Sequence, residues 1–387
     1  MSRFLPLLLL VAVVGCSQAP APPTLVERID AGVLETTTFL LRNQSKDDGS
    51  WRSDVYTTFR DGTALTPLVI TALQDADTPT APQRRNAEQF LAKRISPDGA
   101  VDDGPDGFPY PVYTAALSLK AVGRLNHHDY GDPEYHRVRR AWLKYLLARQ
   151  LTEQNDWKLD DKQYGGWGYY PLVPRKPAPG QAVPAQQLLE SNLSATTFAL
   201  DALHAAGVTD PKVLGPARRF VESCRNDDGG FHFIYDDPIR NKAGQSDPGP
   251  DGKPRFHSYG STTADGVRAL LLCGGKPDDP QVIAGRDWLV KHFAADKHPG
   301  TYVPTHEPNR DAVYFYYAAS VAKTFRQLGV KEVNGQPWAE PLAEALLARQ
   351  RPDGSWANPV DLVRENDPVV ATAYALTALA ECRKVLK

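Results

Sequence analysis

Apolar residues return along this chain in two alternating rhythms. One is the one-sided stripe of a helix with a wet face. Leu25, Ile29, Val33, Leu34, Thr37, Leu40 and Leu41 fall at helical spacing, and Val138, Ala141, Trp142, Tyr145 and Leu146 repeat the arrangement. The other rhythm has no polar side. Thr63-Ala64-Leu65 through Leu73, Tyr113-Thr114-Ala115-Ala116-Leu117, Ser194 to Leu200, Ser261-Thr262-Thr263-Ala264 and Ala371 to Leu376 are dense in Ala, Thr and Ser. Small residues on every side suit a helix touched all round. The alternation predicts outer and inner helices in pairs, joined by turns such as Gly123, Gly207 and Gly274-Gly275.

A short phrase separates the members of each pair. Asp48-Gly49-Ser50-Trp51 returns as Asp98-Gly99-Ala100-Val101, Gly165-Gly166-Trp167, Asp228-Gly229-Gly230-Phe231, Pro299-Gly300-Thr301-Tyr302 and Asp353-Gly354-Ser355-Trp356. Its glycines at 49, 99, 166, 229, 300 and 354 are spaced 50, 67, 63, 71 and 54 residues apart, which marks a repeat with insertions. Gly is expected to stop the outer helix with φ > 0, and the aromatic residue to staple neighbouring pairs.

One such pair cannot bury its apolar face alone, so neighbours must stack. An open stack needs polar caps at its ends, yet the last inner helix, Val369 to Leu379, is as apolar as the middle ones. The expected fold is therefore all-α: an α/α toroid of six helical hairpins filling residues 24–387, with insertions near 164–190 and 236–257.

The first residues read differently. Arg3 precedes an apolar run from Phe4 to Val14, too short to span a bilayer, followed by a small, Pro-rich stretch. Val13-Val14-Gly15-Cys16 resembles a bacterial lipobox, which implies cleavage after residue 15 and acylation of Cys16. Residues 16–23 would then be a linker, and the protein an extracytoplasmic lipoprotein whose membrane partner is reached through Cys16. The remaining cysteines, Cys224, Cys273 and Cys382, are too few for a disulfide framework and read as small buried hydrophobes. A net charge of −2 offers nothing to nucleic acid.

Outer helix, Gln, Asp-Gly-aromatic turn and Thr/Ala-rich inner helix together resemble the repeat of squalene and oxidosqualene cyclases and of prenyltransferase β subunits. Gln44 to Trp51 and Gln350 to Trp356 are the nearest matches. The resemblance covers about residues 24 to 385 and implies the toroid; it implies no reaction, because the catalytic marks of those families fail here. There is no Asp-x-Asp-Asp run, the nearest stretch being Asp156-Trp157-Lys158-Leu159-Asp160-Asp161. Glu222-Ser223-Cys224 is a poor echo of the zinc pair, so no metal or other cofactor is expected. Asp102-Asp103-Gly104-Pro105-Asp106 fits Asp-Asp-x-x-Asp, but Gly104-Pro105 breaks the helix such a diphosphate site needs, leaving an acidic turn.

A site is expected where the inner helices begin, beside the insertions. The polar and aromatic residues there include Arg60, Asp61, Tyr110, Tyr113, Asn192, His257, Tyr259, Arg310, Asp311, Tyr314, Tyr317, Glu365, Asn366 and Asp367. His257, Tyr259, Arg310 and Asp311 are the candidates for chemistry; Arg60, Asp61, Tyr113, Asn192, Tyr314, Tyr317, Asn366 and Asp367 are those for ligand contact. Asp61, Asp311 and Asp367 also suit helix caps. Two functional classes remain open: binding of an envelope lipid, isoprenoid-like, or of a glycan without chemistry, and a polysaccharide lyase or hydrolase using Tyr, His and Arg. An apolar cavity would favour lipid and a charged open groove glycan.

Overall fold

The computed structural model describes residues 21–78, 80–123, 132–181, 188–234, 237, 240–249, 252 and 255–387. Within them twelve helices alternate as outer and inner members: α1 (Leu25–Arg42) and α2 (Leu65–Asp75), α3 (Ala81–Ala92) and α4 (Pro111–Gly123), α5 (Pro133–Leu147) and α6 (Leu193–Ala205), α7 (Pro211–Ser223) and α8 (Gly260–Leu272), α9 (Pro280–His292) and α10 (Tyr314–Leu328), α11 (Ala339–Leu347) and α12 (Pro368–Leu386). Two short antiparallel ribbons, β1 (Gln245–Ser246) with β2 (Arg255–Phe256) and β3 (Glu332–Val333) with β4 (Gln336–Pro337), trim the connections.

Local signals start the outer helices. Thr24 and Glu27 form a reciprocal capping box on α1. Asp132-Pro133 and Asp210-Pro211, and Asp367-Pro368 on the inner helix α12, each place a cap before a proline at the first helical position, and each aspartate accepts a bond from the first turn (2.8–2.9 Å). The inner helices are enclosed: every residue of α2 is buried. They contact one another in sequence, and α12 packs on α2, so the ring is closed.

The repeated phrase is a joint between hairpins. In copies one, three and six the indole N–H donates to the last turn of the outer helix: Trp51 to the Leu40 carbonyl (2.6 Å), Trp167 to Leu146 (2.9 Å) and Trp356 to Leu346 (2.8 Å). The backbone N–H of Trp51, Trp167, Phe231 and Trp356 donates to a threonine hydroxyl on the next inner helix: Thr66, Thr196, Thr263 and Thr372. This explains the threonines of the inner helices. The preceding glutamine completes the joint. Gln44, Gln150 and Gln350 each donate to their own turn glycine and to the next outer helix, at Gln83, Val213 and Gly32 respectively. For Gln350 the next outer helix is α1, so the last joint has the same chemistry as those of copies one and three.

Two details differ from the sequence reading. In the third copy the left-handed glycine is Gly165 (φ 95°), which lies against the Pro216 carbonyl, rather than Gly166. On α1 the buried face is Ile29, Gly32, Val33, Thr36, Thr37, Phe39 and Leu40, while Leu34 is 68% exposed. The small residues Gly32 and Thr36 face the Gln350 joint and set that phase. Cys224 and Cys382 are buried, and all three described cysteines are free thiols.

The two faces of the ring differ. The phrases and the starts of the inner helices share one face. On the other, Arg383 near the end of α12 reaches Asp30 in α1 (3.3 Å) and the Ala76 carbonyl after α2 (2.6 Å).

Candidate functional site

The starts of the inner helices enclose a bowl of about 660 Å³. Six tyrosines line it (Tyr110, Tyr113, Tyr169, Tyr259, Tyr316 and Tyr374), together with Phe59, Phe233 and aliphatic residues such as Leu65, Leu68 and Val370. Most of the wall is apolar. Tyr113 stacks on Tyr169 (5.7 Å between centroids) and meets Phe198 edge-on, while Tyr316 meets Tyr374 edge-on. Burial raises the Tyr113, Tyr259, Tyr316 and Tyr374 hydroxyls above the ordinary phenol range, so they stay protonated.

One polar cluster interrupts this wall. Asp265 on α8 is 1% exposed. It accepts from the Tyr316 hydroxyl (2.5 Å) and the Ser320 hydroxyl (2.5 Å), and Ser194 shares a hydrogen bond with Tyr316 (2.7 Å). Burial pushes the Asp265 carboxyl up to about 6, against the pull of Arg268, Ser320 and Tyr316. Beneath the bowl a charged belt crosses the ring: Asp201 pairs with Lys120 and Arg268, and Lys323 with Asp75. Burial opposes ionisation of Asp201, but its three cationic neighbours outweigh it and hold the carboxyl low.

The mouth carries Arg240, Lys242, Arg364 and Glu365. The Arg364 guanidinium lies over Tyr56, Phe59 and Tyr110 (4.9–5.4 Å) and donates to Thr58. Its backbone is left-handed (φ 69°), a cost that a non-glycine residue bears only where the surroundings impose it. Glu365 accepts the N–H groups of Phe315 (3.0 Å) and Tyr316 (2.7 Å) at the start of α10. Burial still pushes its carboxyl up to about 8.

Of the residues singled out from sequence, Tyr113, Tyr259, Tyr110 and Glu365 line the bowl; the others lie elsewhere. Asn192 and Asp367 cap α6 and α12. Asp61 accepts from Thr63 within a turn, and Arg60 is exposed. Asn366 accepts from the Tyr56 hydroxyl (2.6 Å). Arg310 pairs with Glu307, donates to the His298 and Gly300 carbonyls and covers the Tyr302 ring. Asp311 accepts the His298 N–H (2.7 Å). Tyr314 and Tyr317 donate outward to the Ala295 and Ala294 carbonyls. His257 is partly buried beside β2 and away from the wall. His298, fully buried and outside the lining of the bowl, accepts the Ser261 N–H on its Nε2 (2.9 Å) and so caps α8; burial pushes its imidazole down to about 3. Asp103 of the acidic turn is held by Arg149 (3.0 Å) and Tyr145 (2.7 Å), and Glu222 by Arg218. No cluster of described residues fits a metal ion, and no described helix is long and apolar enough to cross a membrane. Cys16 lies outside the described residues.

No family model matches the chain, and no curated protein matches it by sequence. Solved structures match it by shape. A variant of the type II terpene cyclase MstE from Scytonema, in complex with its product merosterolic acid A, superposes with a TM-score of 0.58 at 16% identity over 93% of this chain and 99% of that one. Cellobiose 2-epimerase from Spirochaeta thermophila gives 0.57 at 13% identity over 94% and 97%. A D-mannose isomerase gives 0.56 at 16% identity over 95% and 99%. At these identities the likeness shows the fold, a terpenoid cyclase-like α/α toroid, and the fold alone.

Proposed function

We propose that the bowl binds an apolar envelope ligand of isoprenoid-like character, and that an acylated Cys16 tethers the protein outside the cytoplasm of a bacterium. The observation that carries the ligand reading is the wall itself, where aromatic rings and aliphatic side chains from the inner helices enclose about 660 Å³. Below the charged mouth, Asp265, Tyr316 and Ser194 supply a polar point in the apolar wall that fixes a hydroxyl of the ligand. This is a binding function without the cyclase or zinc prenyltransferase reaction, whose motifs the chain lacks. The alternative is a glycan-processing enzyme, favoured by the tyrosine content and by the sugar-handling proteins among the structural neighbours. Arg310, Asp311 and His257 stand outside the bowl, so such an enzyme would have to work with Tyr259, Asp265 and Glu365 instead.

Calorimetric titration with farnesol and with cellobiose separates the two. Farnesol should bind, and Val370→Trp, which fills the bowl, should weaken it by about tenfold or more. Binding of cellobiose with no response to farnesol would overturn the lipid reading.

A further inference from the structure

Lys242 is the one lysine among the described residues of the wall. Its backbone is clamped on both sides. Asn241 bonds the Phe233 and Ile234 N–H groups and the Ile234 and Asp237 carbonyls; the Lys242 carbonyl accepts from His306 (3.0 Å), and the Ala243 carbonyl accepts from Val303 (3.0 Å). Lys242 thus lines the bowl on a fixed stretch of backbone. Glu190 and Asp237 pair with Arg240, and among the described residues no carboxylate forms an ion pair with Lys242. Tyr259 and Tyr169 line the same cavity. A half-buried lysine on the wall of a largely apolar cavity, with no ion-pair partner among the described residues, is a setting in which the amine can serve as a nucleophile.

We infer that Lys242 is a covalent anchoring site for an apolar aldehyde or ketone, which it holds as a Schiff base. The inference rests on the reading of the bowl as an apolar ligand site. The Lys242 nitrogen attacks the carbonyl carbon, and the carbonyl π pair moves to oxygen, which takes a proton. The resulting carbinolamine loses water as the remaining N–H pair moves into the C=N bond and its proton is released. One amine and one carbonyl give one imine and one water, with no change of oxidation state. The Tyr259 phenol, kept protonated by burial, is the proton donor on that wall. Burial pushes the Lys242 ammonium down to about 8, with Arg240 acting in the same direction and Asp237 against it, so free amine is present near neutral pH.

The probe is citral, a ten-carbon enal, incubated with the full chain at pH 7.5 in sodium cyanoborohydride and read by intact and peptide mass spectrometry. The expected result is one reduced adduct on Lys242, forming about tenfold or more faster than on exposed lysines. It should be suppressed by excess geraniol and absent from that position in natively melting Lys242→Arg. Label spread over the lysines without preference, or label at Lys242 that geraniol does not suppress, overturns the inference; neither result depends on the variant. Geraniol titration separates the two levels. If geraniol binds and Lys242 stays unlabelled, only the covalent site falls. If geraniol does not bind, the reading of the bowl falls as well.

Discussion

Two glycines with nearly the same backbone angle test whether the joints hold the ring together. Gly99 has φ +82° and Gly354 has φ +86°. A Cβ built on Gly99 meets nothing within 4 Å, whereas on Gly354 it lies 2.5 Å from the Glu35 carbonyl oxygen and 2.6 Å from its carbon. Gly99→Ala therefore costs only the left-handed penalty, about 1 kcal/mol. Gly354→Ala adds a clash with the backbone of α1, which cannot rotate away as a side chain can; relief requires α1 to move, at a further 1–3 kcal/mol or so. The second variant should lose about 2–4 kcal/mol in all. Urea unfolding followed by tryptophan fluorescence reads this directly, since Trp356 and Trp51 flank the seam. Unfolding entropy scales with length, so in a chain of this size 1 kcal/mol moves Tm by only about 1–2 °C, and the urea midpoint is the better readout. Hydrogen exchange in Gly354→Ala should rise in both α1 and α12. Equal losses in the two variants, or faster exchange confined to the mutated turn, would refute the closed-ring account.

Three further outcomes follow. Gln350→Met keeps bulk but removes the bonds to Gly32, Thr36 and Gly354, and should cost about 2–3 kcal/mol in urea unfolding; a loss below about 0.5 kcal/mol would show the clamp to be idle. Asp265 holds its proton up to about pH 6 when folded and up to about 3.8 when unfolded, so the folded state binds the extra proton between those values, and wild-type stability falls as pH rises through that window, by up to roughly 3 kcal/mol. Asp265→Asn lacks this slope, so the Tm difference between the two proteins should shift toward the variant between pH 4 and 7 or so; a constant difference sinks the assignment. Cys16→Ser should abolish incorporation of labelled palmitate in a bacterial host, and retained label would remove the anchor.

The ring was legible because its joints are local. Asp, Gly and an aromatic residue within four positions, after a glutamine, state both the turn and the staple. The site was harder to read because polar residues at helix starts have another duty. The first-turn N–H groups of a helix need acceptors. Asn192 and Asp367 meet that need within their own helices, and Glu365 and His298 meet it across a gap that sequence does not show. Helical phase decided the tyrosines of α10. Tyr314 and Tyr317, three apart, share an outward face; Tyr316, between them, turns into the bowl. The one available signal for Asp265 was a carboxylate directly after the uncharged run Ser261 to Ala264, on a largely buried helix.

The seam between α12 and α1 makes the linear order of the hairpins arbitrary. Lys387 at the end of α12 lies beside Asp30 in α1 (3.3 Å), so a short linker could join the end of α12 to the start of α1. The turn between α6 and α7 around Thr209 is exposed. A circular permutant joined at the first pair and opened at the second should fold to the same ring, its new ends falling at a joint equivalent to the old one. The first and fourth hairpins share the bond that seats each turn on its inner helix, Trp51 to Thr66 and Phe231 to Thr263.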